Sequence, residues 1–73
     1  MYVDDEAHNL ASFRATFRKD YPIYIARSGN EALETLRSHH IHLVISDQRM
    51  PGMTGVQFLE QVNREYPDTI RMV

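Results

Sequence analysis

A short apolar run that ends in an aspartate and a turn constrains the fold more than any other stretch of this sequence. Leu43 to Ile45 is apolar and partly β-branched, and Asp47 follows it closely. Pro51 and Gly52 then break regular structure. A run of this length predicts a buried strand. Open α/β sheets hold their ligands at the carboxyl ends of strands, so we expect Asp47 to face a loop-lined crevice.

The amino-terminal end of the chain repeats this arrangement of a strand followed by acids. The apolar stub Met1 to Val3 precedes Asp4, Asp5 and Glu6. If the two strands are parallel neighbours, their acids converge at one end of the sheet. Carboxylates held together repel one another unless a proton or a hard cation lies between them. The two segments therefore predict an acidic pocket. Taken singly, Asp4 or Asp5 could instead cap the first helix, and Asp47 could simply end a strand.

The rest of the chain alternates between strand and helix patterns. Strands are predicted at residues 1–3, 23–26, 43–45 and 69–73, and helices follow Glu6, Ser28 and Thr54, the last over 55–64. The pair Tyr21-Pro22 is expected to end the first helix. This order favours an α/β fold with a parallel sheet and helices on both faces. In the first helix Leu10, Phe13 and Phe17 recur at helical spacing. The buried side of the second helix is expected to be Ala32, Leu33 and Leu36, and that of the third is expected to be Val56, Leu59 and Val62, with Phe58 as a further candidate.

Composition limits the classes of function. The 73 residues allow one domain, with a core near the lower limit of independent stability. The formal net charge is -2 and the basic residues are scattered, which argues against direct binding of nucleic acid. The absence of cysteine excludes disulfides and thiolate metal sites. No signal peptide or membrane-spanning run is recognisable, so a cytoplasmic location is the default expectation.

The two acidic segments resemble the receiver domain of bacterial two-component response regulators. Segment 3–6, VDDE, resembles the acidic pair of that family, and segment 46–55, SDQRMPGMTG, resembles its phospho-acceptor strand and the following loop. The resemblance implies a flavodoxin-like, doubly wound parallel sheet with strand order 2-1-3-4. Residues 1–73 would form the N-terminal part of a single receiver domain, and the fifth strand and the last helices would lie beyond Val73.

The resemblance also implies a set of site residues. Asp47 would accept a phosphoryl group from a phosphohistidine on a sensor histidine kinase or a phosphotransfer protein. Mg2+ would be bound by Asp5, Asp47 and the main-chain carbonyl of Arg49, with Asp4 acting through water. An output domain would lie elsewhere on a longer chain. The family's Ser or Thr and Lys would also lie beyond Val73, so we expect these residues alone to handle phosphoryl groups poorly.

Other functions remain open at this point. The chain could be a phosphorylation-incompetent module that uses the fold for interaction, including self-association through an exposed sheet edge. A magnesium-dependent phosphatase would usually carry an Asp-x-Asp arrangement after its first strand, whereas Asp4-Asp5-Glu6 stands here, so we expect no enzymatic turnover. The histidines at 39, 40 and 42 could bind a transition metal, but a solvated connection at the opposite end of the sheet is favoured.

Overall fold

The structure of the chain is a computed structural model that describes residues 1–72. Four strands and three helices alternate within these residues. In chain order they are β1 (Tyr2–Val3), α1 (Ala7–Phe17), β2 (Ile25–Ala26), α2 (Gly29–Ser38), β3 (Leu43–Ser46), α3 (Gly55–Glu65) and β4 (Ile70–Met72). None of the helices in this part of the chain is long and apolar enough to cross a membrane.

The strands form one parallel sheet in the order β2-β1-β3-β4. Val3 lies between Ala26 and Ser46 across the sheet, and Ile45 pairs with Met72. The chain moves one way from β1 to β2 and the other way through β3 and β4. Right-handed crossovers then place α1 on one face of the sheet and α2 and α3 on the other. The predicted α/β class and strand order 2-1-3-4 are confirmed.

The main core lies between the sheet and helices α2 and α3. Val44 of β3 and Phe58 and Val62 of α3 are fully buried there. The predicted core positions of α2 are also buried, and they are Ala32, Leu33 and Leu36.

The N-terminal ends of α2 and α3 are capped as their sequences suggest. The Ser28 hydroxyl accepts a hydrogen bond from the Glu31 amide at the start of α2. Thr54 and Gln57 form a reciprocal capping box at the start of α3.

Two local expectations were wrong. Val56 is 46% exposed, because the buried face of α3 follows Gly55, Phe58 and Val62, and residue 56 points about 100° away from residue 55. Helix α1 ends at Phe17 rather than at Tyr21-Pro22. The residues after Phe17 form a turn in which the Asp20 and Tyr21 amides donate to the Phe17 carbonyl. The predicted end of β4 at Val73 lies outside the described residues.

The face of the sheet that carries α1 is less covered. Leu10 is buried, but Phe17 is 38% exposed, with its ring tilted against that of Phe13. Farther along the sheet, Ile70 is 65% exposed and Met72 is 53% exposed. Apolar surface of this kind is consistent with association, but self-association through the sheet edge remains a prediction.

Candidate functional site

Three aspartates converge where β1 and β3 end. Asp4 directly follows β1 and Asp47 directly follows β3, and these strands are neighbours in the sheet. The Asp47 amide donates to the Val3 carbonyl at 2.8 Å, so the pairing continues to the acidic residues. Carboxylate oxygens of Asp4, Asp5 and Asp47 all lie within 4.8 Å of one another. Asp4 is buried, Asp47 is half-buried and Asp5 is exposed.

The Asp4 carboxylate is held by three hydrogen bonds. Its Oδ1 accepts from the Glu6 amide at 3.0 Å. Its Oδ2 accepts from the Tyr2 hydroxyl at 2.7 Å and from the Asn9 side-chain amide at 3.1 Å. Both oxygens of this buried side chain are therefore engaged by the protein. This geometry fixes the position of Asp4 at the base of the pocket and leaves Asp5 and Asp47 as its more accessible carboxylates.

The same contacts set the ionisation of Asp4 and Tyr2. Burial alone raises the pKa of the Asp4 carboxyl, but the hydrogen bonds from Tyr2, Glu6 and Asn9 together outweigh it and lower the pKa below its ordinary value. Burial, the hydrogen bond to Asp4 and the negative charges of Asp4 and Asp47 raise the pKa of Tyr2 to about 12. Tyr2 therefore stays protonated and remains a donor to Asp4 at neutral pH.

Replacing Tyr2 with Phe is expected to destabilise the fold by about 1–3 kcal/mol at neutral pH, because a hydrogen bond to a charged, buried carboxylate is lost. The pKa of Asp4 is lower in the folded chain than in the unfolded chain. The Asp4 carboxylate therefore stabilises the fold fully above its pKa in the unfolded chain, and this stabilisation is lost as pH falls through its pKa in the folded chain. The free energy of unfolding of the Tyr2→Phe chain and of the unmodified chain is measured by urea denaturation from neutral to acidic pH. The difference between the two chains should shrink as the pH falls. Tyr21→Phe, at an exposed tyrosine, is the matched control. An equal effect of both substitutions would contradict this role of Tyr2.

The loop after Asp47 is fastened to the start of α3. The Gly55 amide donates to the Gln48 carbonyl at 3.0 Å, and the Val56 amide donates to the Gln48 side-chain oxygen at 2.9 Å. On the other side, the Ser46 hydroxyl donates to the Asp47 carbonyl at 2.9 Å. Met50, within the loop, is buried against the main core. These contacts define the backbone path on both sides of Asp47.

Gly55 is required by the close approach of α3 to this loop. A Cβ atom at position 55 would overlap the Asp47 carbonyl oxygen and would lie 2.9 Å from the Gln48 Cα. Both neighbours are backbone atoms, so the strain could be relieved only by moving the Asp47 loop or the helix. The sequence indicated no more than a helix start at this glycine.

Gly55→Ala is therefore expected to lower the free energy of unfolding by about 1–3 kcal/mol, the usual range for overpacking a buried site. The measurement is thermal or urea denaturation followed by circular dichroism. Asn63→Ala, at an exposed position of the same helix, should change it by no more than about 0.5 kcal/mol. A Gly55→Ala chain as stable as the Asn63→Ala chain would show that the close approach does not persist in solution.

The other site candidates from the sequence are Arg49 and three histidines. The Arg49 side chain is exposed, two residues beyond Asp47, and the role of its main-chain carbonyl as a ligand stays a prediction. His39, His40 and His42 are exposed in the connection between α2 and β3, and the rings of His40 and His42 meet edge to face. Within residues 1–72, the aspartates are the only group of three or more acidic or histidine side chains close enough to share a metal ion.

Two residues of the pocket were missed from the sequence. Tyr2 lies two positions before Asp4, so both side chains leave the extended chain on the same side, and this alternation was an available signal. Asn9 is brought to Asp4 by the first turn of α1, and nothing in its local sequence distinguishes it from a solvent-exposed helix residue.

The donor set of the pocket suits a hard divalent cation. Carboxylate oxygens are the ligands that Mg2+ prefers. The ion pair found among residues 1–72 joins Arg37 to Glu34, and no Lys or Arg in that part of the chain neutralises the three aspartates. No basic side chain of residues 1–72 therefore compensates the negative charge of the three aspartates. Mg2+ fits the residues present.

The protein is therefore of the α/β class, with a parallel sheet and an acidic pocket at the carboxyl ends of adjacent strands. Comparison with known proteins gives the family. The family model that describes the response regulator receiver domain matches residues 1–73. The chain belongs to this family.

Individual relatives agree with this assignment. The chain is 34% identical over 73 residues to the hydrogenase transcriptional regulatory protein HoxA of Cupriavidus necator, matching 100% of this chain and 15% of that protein. It is similar to the signal receiver domain of an HD domain-containing protein from Pseudomonas fluorescens, with a TM-score of 0.93 and 31% identity over 96% of this chain and 57% of the other. An uncharacterized protein from Neptuniibacter caesariensis is 44% identical, with a TM-score of 0.89 over 94% of this chain and 52% of the other. The chain thus spans only part of each of these relatives.

Proposed function

We propose that this chain is a phospho-accepting receiver module that takes a phosphoryl group onto Asp47 in the presence of Mg2+. The observation that carries the proposal is the convergence of Asp4, Asp5 and Asp47 within 4.8 Å at the end of the sheet. Clustered carboxylates can bind a cation that offsets repulsion between an attacking carboxylate and an incoming phosphoryl group. Membership of the receiver family supports the same role.

Each residue has a distinct part in the proposed reaction. One oxygen of the Asp47 carboxylate would form the bond to phosphorus while the bond from phosphorus to the donor histidine nitrogen breaks, and a carboxylate nucleophile needs no general base for this attack. Asp5, Asp47 and the Arg49 carbonyl would hold Mg2+, whose chemistry is to neutralise charge on the phosphoryl oxygens. Asp4 would contact the ion through water, because its own oxygens already accept hydrogen bonds from Tyr2, Glu6 and Asn9.

The surrounding structure would keep Asp47 oriented for this reaction. The Gln48 side chain ties the residue after Asp47 to the first turn of α3, and Ser46 anchors the Asp47 carbonyl. Positioning of this kind carries much of the catalysis of phosphoryl transfer. Because the carboxyl group becomes an aspartyl phosphate, the pocket gains negative charge, which is the kind of change that biases a two-state surface.

The partners follow from the proposed reaction and from the relatives. The phosphoryl donor would be a sensor histidine kinase or a phosphotransfer protein. HoxA is described as a transcriptional regulatory protein, and the present chain matches only a small part of it. An output domain on a longer chain, controlled by the state of Asp47, is therefore the proposed context. In that context the role is regulatory rather than enzymatic.

The test is to locate the phosphoryl group chemically. The chain is treated with a small acyl-phosphate donor, with and without Mg2+, and the product is trapped by borohydride reduction and mapped by peptide mass spectrometry. The proposal predicts modification at Asp47 that depends on Mg2+. Modification spread over exposed acids such as Asp20 and Asp68, or none under any condition, would contradict it.

A further inference from the structure

A groove runs beside helix α1, along the open edge of the sheet at β2. Its volume is 520 Å³, and it is open to solvent along its length. β2 is the outermost strand on this side, so no further strand of the described sheet closes the groove. Its floor is apolar, formed by Leu10 and Ile25. The proposed phosphorylation does not use these residues.

The walls of this groove carry three arginines. Arg14 lies on α1 and Arg18 follows one turn later as the residue that caps its C-terminus, and Arg27 lies across from them just after β2. All three are exposed, and none pairs with a carboxylate of residues 1–72. Glu31 is the acidic residue among those that line the groove. The groove is therefore cationic, although the whole chain has a formal net charge of -2.

Small side chains leave room beside the arginines. Ala7, Ala11 and Ala15 line the groove on successive turns of α1, and all three are exposed. Residues four apart lie on one face of a helix, so these alanines form a shallow strip next to Arg14 and Arg18. Small residues in such a strip allow a second helix to pack at the short end of the usual interaxial range, about 8 Å.

We propose that this groove binds an acidic helical segment of a partner protein. Arg14 and Arg18 are four residues apart and Arg18 has helical backbone angles at the end of α1, so carboxylates spaced four residues apart on the bound helix could meet both of them in one register. Arg27 would contact the opposite flank of the same helix. The alanine strip and the apolar floor would cover the small or apolar residues between the carboxylates.

A second copy of this chain does not supply such a segment from its described helices. α1 contains no acidic residue, and the acids of α3, Glu60 and Glu65, are five positions apart. In α2, Glu31 and Glu34 are three apart, and Glu34 already pairs with Arg37. Charge complementarity therefore points to a different protein as the occupant.

The experiment uses a synthetic helical peptide as the probe. An alanine-rich peptide of about 16 residues, with glutamates at every fourth position, is titrated into the isotopically labelled chain and followed by amide NMR. The proposal predicts shifts confined to α1, β2 and the start of α2. It also predicts weaker binding as salt rises. A peptide with glutamine in place of every glutamate should not bind.

Charge reversal on the protein provides the matched control. Arg14→Glu combined with Arg18→Glu should weaken binding of the acidic peptide by at least about tenfold. Arg64→Glu, at an exposed arginine of α3 outside the groove, should change it by less than about twofold. Both variants alter exposed side chains, and their amide spectra show directly whether they remain folded.

Four outcomes would overturn the proposal. The first is no binding of the acidic peptide at millimolar concentration, and the second is binding that survives the double reversal at Arg14 and Arg18. The third is equal binding of inorganic phosphate with the same shifts, which would indicate a small-anion site instead. The fourth is self-association of the chain that the double reversal abolishes, which would assign the groove to a second copy.

Discussion

The Asp47→Asn chain is expected to accept no detectable phosphoryl group from an acyl-phosphate donor. The carboxamide has nearly the shape of the carboxylate but lacks its negative charge, so the nucleophile is lost while the packing is kept. The substitution should not unfold the chain. Asp47 lies within 4.8 Å of Asp4 and Asp5, so neutralising it removes repulsion between like charges. The free energy of unfolding in metal-free buffer should stay unchanged or rise.

Intact-mass spectrometry of donor-treated chains measures this loss. Asp68→Asn is the matched control, because Asp68 is an exposed acid in the connection between α3 and β4, away from the pocket. That variant should gain a phosphoryl group at the rate of the unmodified chain. If Asp47→Asn is labelled as fast as Asp68→Asn, the acceptor lies elsewhere and the proposed function is wrong.

Phe58→Ala is expected to be the most destabilising truncation to alanine within residues 1–72. The Phe58 side chain is the largest of those that are fully buried, and it belongs to the core between the sheet and helices α2 and α3. Truncating a buried phenylalanine typically lowers the free energy of unfolding by about 3–5 kcal/mol. A domain of this size has a total stability of roughly 4–11 kcal/mol, so this loss removes much or all of it.

Urea denaturation followed by far-ultraviolet circular dichroism tests this expectation. The control is Val56→Ala in the same helix, where the side chain is 46% exposed and the loss should be no more than about 0.5 kcal/mol. The comparison also tests the corrected orientation of α3. Equal losses at positions 56 and 58 would mean that the helix buries a different face.

The placement of the acids at the ends of strands followed from short-range signals in the sequence. Leu43 to Ile45 has the length and composition of a buried strand, and Asp47 stands where that strand must end. A parallel sheet brings the carboxyl ends of its strands together, so pairing β1 with β3 was enough to bring Asp4 and Asp47 close. The resemblance to receivers supplied the strand order, which periodicity alone does not determine.

Side-chain environments could not be predicted as well, because they depend on which elements meet. Val56 and Phe58 are both apolar, and only the docking of α3 against the sheet decides that Phe58 is buried. Phe17 has helical spacing with Leu10, yet Leu10 is buried and Phe17 is 38% exposed. The role of Gly55 depends on a backbone approach between loop and helix that no local pattern encodes.

The most direct test of the central claim is a titration of the unmodified chain with Mg2+, followed by two-dimensional amide NMR. The claim is that Asp4, Asp5 and Asp47 form one cation-binding pocket. It predicts saturable shifts concentrated at these residues and in the loop that includes Arg49, with much weaker binding in an Asp5→Asn variant. Shifts that are absent, or that are spread over exposed acids such as Asp20 and Asp68, would contradict the claim and would favour a module used only for interaction.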